Sequence, residues 1–151
     1  MAQILTGDNR SKLTGGEGSI LTAGHNSELV GGVGSKIISG EHSHLVAGFN
    51  SELAGGEGSI IASGEDSKIT SGEYSHLVAG HNSELTGGEG SVLVGETGST
   101  AKGGLDSVIL LVERDNDDKI TEFAVVQVDG KKIKANTFYK LKKGKVIEVI
   151  D

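Results

Sequence analysis

From Gly7 to Leu110 the chain repeats itself every eight residues, and nothing else about it restricts the possible folds so tightly. Residues 79–94, "AGHNSELTGGEGSVLV", are two such units end to end. With units starting at Gly7 and every eighth residue to Gly103, thirteen units follow one another. Position 5 is Ser in all of them, from Ser11 to Ser107. Position 7 is Leu or Ile in all but Ala101, and position 2 is Gly in all but Asp8 and Glu96. A short fixed period means a unit that cannot bury its apolar side alone and completes a core only by stacking on its neighbours.

The unit itself reads as a corner followed by a strand. Position 4 is mostly Gly, Asn or Asp, the residues that tolerate positive φ. Positions 5 to 8 and the next position 1 form the strand. Side chains alternate along a strand, so an inward position 7 brings positions 5 and 1 inward with it. The interior is then one aliphatic layer, one Ser layer and one layer of Gly, Ala or Ser. The ladders Leu45, Ile61, Leu77, Leu93 and Ser43, Ser59, Ser75, Ser91 are the expected inner columns. A hydroxyl both donates and accepts, so a stacked column of Ser can satisfy itself where a lone buried Ser would not.

One corner cannot close a coil. Two octapeptides give a 16-residue coil of two strands, and three give a triangular one. The outward residues favour two. At every sixteenth residue one face shows Ile20, Lys36, Glu52, Lys68, Glu84 and Thr100 at position 6. Lys and Glu then alternate on neighbouring coils, and opposite charges across strands favour register. A three-unit coil would stack Lys36, Ile60 and Glu84, with no such order. The expected fold is therefore all-β: a β-solenoid of 16-residue coils over residues 1–110, with a small antiparallel β cap over 111–151.

The second face is mostly apolar. It carries Ile60, Val92 and Val108 at position 6, and Val30, Val46, Val78, Val94 and Leu110 at position 8. An exposed apolar strip of that size marks an interface. Association with a second copy is the favoured reading, either as a dimer or end to end. Cover by the C-terminal segment is the other. Along one corner of this face Glu41, Glu57, Glu73 and Glu89 recur at coil spacing, an acidic edge whose like charges either splay into water, the favoured reading, or bind cations or share protons.

After Leu110 the octad stops and alternating runs begin, among them "KITEFAVVQV" and "KVIEVI". "RDNDD" and "DG" (129–130) are turn signals, the second typical of a hairpin. Such a segment suits the end of a solenoid, which otherwise exposes unpaired backbone.

Charge and composition narrow the function. Residues 1–110 carry 5 basic and 13 acidic residues, net −8, and residues 111–151 carry 9 and 8, net +1. An acidic body argues against nucleic acid as a partner. There is no Cys, hence no disulfide and no thiolate metal site. No apolar run approaches the 18 residues of a membrane span. The opening MAQILTGDNR lacks the basic and apolar regions of a signal peptide, which leaves cytoplasm and cell surface both open. His44 and His76 share a face with Ile60 between them, and read as solvated side chains. No nucleophile–base pair or phosphate loop occurs, so the expectation is a non-enzymatic protein with no cofactor.

The residues resemble a known family, the bacterial ice nucleation proteins, whose octapeptides are of the AGYGSTLT type and pair into 16-residue coils. "AGHNSELT", "SGEDSKIT" and "GGEGSILT" match the small-Gly-x-x-Ser-x-Leu-Thr frame. The exit agrees as well: Gly104-Leu105-Asp106-Ser107 with apolar residues following, then Gly130, Ile133, Ala135, Tyr139 and Ile147. The resemblance implies a β-solenoid and a possible ice or water surface. The chain departs from the family in having no Thr-x-Thr at positions 6 and 8, and Glu, His, Val or Phe where the family carries a position 3 Tyr. Three functions are therefore in view: a self-associating structural scaffold, an ice-binding or ice-nucleating protein, and a binding module for an extended partner.

Overall fold

The structure is a computed structural model that describes residues 2–150. Each octapeptide contributes one short strand. Those of one face are β1 (Ile4–Thr6), β3 (Ile20–Thr22), β5 (Lys36–Ile38), β7 (Glu52–Ala54), β9 (Lys68–Thr70), β11 (Glu84–Thr86) and β13 (Thr100–Lys102). Those of the other are β2 (Lys12–Thr14), β4 (Glu28–Val30), β6 (His44–Val46), β8 (Ile60–Ala62), β10 (His76–Ala79) and β12 (Val92–Gly95). The longer strands β14 (Val108–Arg114), β15 (Ile120–Gln127), β16 (Phe138–Lys142) and β17 (Lys145–Glu148) follow. The chain winds into a β-solenoid of about seven turns with two strands per turn, as the Lys/Glu alternation implied.

Every repeat strand pairs in parallel with the residue sixteen positions away, for instance Leu45 with Ile61 and Leu53 with Ile69. The first sheet runs β1-β3-β5-β7-β9-β11-β13-β16-β17 and the second β15-β14-β12-β10-β8-β6-β4-β2. Between them lies a core one side chain thick. Leu21, Leu29, Ile37, Leu45, Ile61, Ile69, Leu77, Leu85 and Leu93 are fully buried, and Ser43, Ser59, Ser75 and Ser91 beside them equally so.

The Ser columns are satisfied in a more specific way than hydroxyl-to-hydroxyl stacking. The backbone N–H of Ser43 donates to the Oγ of Ser59 on the next coil (3.3 Å), and Ser75 N–H donates to Ser91 Oγ (3.2 Å). Most of these hydroxyls then donate to a corner carbonyl, as Ser75 does to Glu73 (3.3 Å) and Gly56 (3.3 Å). Parallel stacking sets the hydroxyl of one coil under the N–H of the coil before it, so the ladder runs through the backbone. Strand pairing alone would leave the N–H of position 5 without an acceptor, and Ser at that position supplies one.

The corners are uniform. Position 4 adopts positive φ in all thirteen units, including the bulky Arg10, His42 and Tyr74. In eleven of them its N–H donates to the position 3 carbonyl of the next coil, as Tyr74 does to Glu89 and His42 to Glu57, both at 2.8 Å, while Asp106 donates to Val128 of the cap. Position 2 needs Gly because the preceding coil passes too close. A Cβ on Gly72 would lie 2.8 Å from the backbone N of Glu57, and one on Gly104 only 2.6 Å from that of Glu89.

The C-terminal segment does not fold over the second face. Instead it lengthens both sheets: β15 pairs antiparallel with β14, β16 with β13, and β17 with β16. β14 passes through residues 110 and 111 without a break. Val128, Tyr139 and Leu141 join the same core as the coils, with Val146 packed against it. Glu96, one of the two departures from Gly at position 2, accepts two hydrogen bonds from Arg114, at 2.8 and 3.2 Å. This ties the cap to the corner of the twelfth unit.

Candidate interaction face

The second sheet presents two outward columns. In one, Val30, Val46, Ala62, Val78, Val94 and Leu110 follow one another in strict register. In the other, Lys12, Glu28, His44, Ile60, His76, Val92 and Val108 do the same. Val30, Val46, Ile60 and Val78 are each close to half exposed, Val92 a little over a third. Val94, Val108 and Leu110 are less open than their repeat positions imply.

The face also extends beyond the repeat. Across the β14–β15 pair Leu110 stands opposite Val125 and Val112 opposite Phe123. Opposed residues of an antiparallel pair share a face, so Val125, 54% exposed, continues the valine column and Phe123, 66% exposed, flanks it. The repeat pattern could not reveal these two. The alternation of "EFAVVQ" signals them, because Ala124 and Val126 pack against the core and leave Phe123 and Val125 outside.

Charge is confined to one end of this face. Lys12 and Glu28 pair with each other at 3.6 Å. From β6 through Leu110 no outward position holds Lys, Arg, Asp or Glu. His44 and His76 both neighbour Ile60, which separates them. The corner residues Glu41, Glu57, Glu73 and Glu89 are all exposed. Among the described residues no group of three His, Cys, Asp or Glu is placed to hold a metal ion.

The first sheet is different. Its outward column reads Ile20, Lys36, Glu52, Lys68, Glu84, Thr100 in register, with Lys68 and Glu84 paired at 3.7 Å. Ala54, between Ile38 and Thr70, leaves a hollow of about 180 Å³ edged by Lys36, Glu52 and Lys68. Among the described residues there is no helix, and none long and apolar enough to cross a membrane. No family model, curated protein or solved structure matches the chain.

Proposed function

We propose that this β-solenoid is a non-enzymatic structural scaffold that works by pairing with a second copy of itself through the outward face of the second sheet. The observation that carries the reading is the outward apolar column that runs from Val30 to Val125 across seven strands in register, in which Val30, Val46, Val78 and Val125 are each close to half exposed. Such a strip on a flat sheet is a poor surface to leave in water. A second copy suits it because no outward strand position from β6 to Leu110 carries a formal charge. Size is also adequate. Eight strands about 4.8 Å apart make a face about 38 Å long. At roughly 20 Å across with its corners, it approaches the roughly 800 Å² that each partner contributes to a standard interface.

Light scattering over a range of concentration tests the proposal. A dimer is expected for the native chain, and a monomer for Val78→Lys with Val94→Lys. A native chain that stays monomeric at every concentration rejects self-association. A double variant that remains a dimer moves the contact to another surface.

An ice- or water-ordering surface is a second reading. What favours it is the threonine pairs on the first sheet, Thr6 with Thr22 and Thr70 with Thr86, stacked in register on adjacent strands, together with the octapeptide resemblance to ice nucleation proteins. Droplets containing the protein that freeze no warmer than buffer, with no shaping of growing ice, would reject it.

A further inference from the structure

We propose that the outward face of β13, β16 and β17 is a docking surface for an anionic membrane, engaging lipid headgroup phosphates through a cluster of lysines. Residues 130–145 contain seven Lys and no acidic residue, in a chain whose net charge is −7. The fold gathers part of this run on one surface. Tyr139 and Leu141 point into the core, so Phe138, Lys140 and Lys142 between and beside them point out. Lys142 stands opposite Lys145, Lys140 opposite Ile147, and Phe138 opposite Lys102 of the last repeat strand. Four ammonium groups thus share the outward side of three adjacent strands.

Among the described residues Lys102, Lys140, Lys142 and Lys145 form no ion pair. Among the described residues only Lys134 of the C-terminal lysines reaches a carboxylate, that of Glu148 at 3.4 Å. Lys102 lies 4.6 Å from the centre of the Phe138 ring. Elsewhere the solenoid is acidic, with Glu41, Glu57, Glu73 and Glu89 along one edge. A negatively charged surface is therefore attracted at the cap end and repelled by the body, which fixes which end approaches.

The form of the patch selects the partner. It is the outward side of three paired strands. Its one ring, Phe138, already lies under Lys102, which leaves no platform on which a nucleotide base would stack. Lysine is a compact point charge that suits a diffuse field of phosphates rather than one oriented group. Half-buried Phe138 and Ile147 among the lysines provide apolar ground at the depth of the headgroups. Each lysine near an anionic leaflet strengthens partition about fivefold, so a cluster is needed for measurable binding.

Sedimentation of the full chain with vesicles decides the matter. Vesicles of phosphatidylcholine with about one third phosphatidylglycerol are expected to carry the protein down at low salt and release it at high salt, because surface attraction is screened. Pure phosphatidylcholine vesicles are expected to leave it in solution. Lys140→Gln, Lys142→Gln and Lys145→Gln together should cut partition about a hundredfold. These side chains are exposed, so circular dichroism should be unchanged. Lys12→Gln, Lys36→Gln and Lys68→Gln remove equal charge from the body and should not weaken binding. Equal binding to neutral vesicles, or equal loss in the two triple variants, would overturn the proposal. So would tight binding of a single-stranded oligonucleotide under conditions where anionic vesicles bind nothing.

Discussion

Leu110 and Val125 stand opposite each other across the antiparallel pair β14–β15, so the last residue of the repeat's valine column is continued by a residue that belongs to no repeat. The cap therefore prolongs the face that the coils present. If that face meets a second copy, Val125→Lys with Phe123→Lys should weaken dimerisation at least about tenfold, since charge would be carried into an apolar contact. The unfolding midpoint should hardly move, because both side chains are exposed in the single chain. Sedimentation velocity and thermal melting measure the two quantities side by side. Unchanged dimerisation would confine any contact to the coils.

The core is one residue thick, so each aliphatic has no second layer to relax into. Leu77 is fully buried, and Leu77→Ala should cost about 2–5 kcal/mol in denaturant unfolding. Leu53→Asp should do worse and prevent the coils from stacking, because a carboxylate there has no partner. A Leu53→Asp chain with native circular dichroism and melting would refute the inward assignment of position 7.

Two serines that look identical in the sequence should behave differently. Ser75 Oγ accepts from Ser59 N–H and donates to corner carbonyls, whereas the buried Ser19 Oγ has no partner among the described residues. Ser75→Ala leaves a buried N–H unsatisfied and should cost about 1–3 kcal/mol. Ser19→Ala removes an orphaned hydroxyl and should be neutral or stabilising. Equal losses in the two would mean that the ladder contributes nothing beyond packing.

In the cap, Asp129 accepts from the backbone N–H of Lys131 at 2.8 Å and of Ile133 at 3.1 Å, and these bonds, the former first, hold its carboxyl below the ordinary value. A lowered folded-state pKa gives stability that is present above the unfolded value, about 3.9, and lost as pH falls through the folded one. Native protein should therefore melt above Asp129→Ala at pH 7, and the gap should close as pH falls below the unfolded value and through the folded one. A gap independent of pH would assign the effect to turn geometry rather than to charge.

The register of the coils was legible because it is written many times. The Lys36–Glu52–Lys68–Glu84 alternation points to sixteen residues per turn, and the strands pair at that spacing. Position 4 was legible only in part. Gly, Asn and Asp announce positive φ, but Arg10, His42 and Tyr74 adopt it too, because stacked corners impose a conformation that the residues alone would disfavour. Glu96 read as a fault in the repeat. Its partner, Arg114, lies eighteen residues on, beyond the last unit, where periodicity gives no guidance.

By itself the sequence determined the period, the inward Leu and Ser columns, the outward apolar face and the antiparallel character of the C-terminal segment. All of these follow from local alternation and from corner chemistry repeated often enough to be unambiguous. The tertiary structure alone decided that the cap extends both sheets at their edges and leaves the valine face open. It also decided that Val125 and Phe123 join that face, and that Lys140, Lys142 and Lys145 converge with Lys102. Those outcomes depend on the pairing partner and register of single strands that occur once. A strand's own alternation fixes which side chains share a side, but not which neighbour, and hence which face of the molecule, that side becomes.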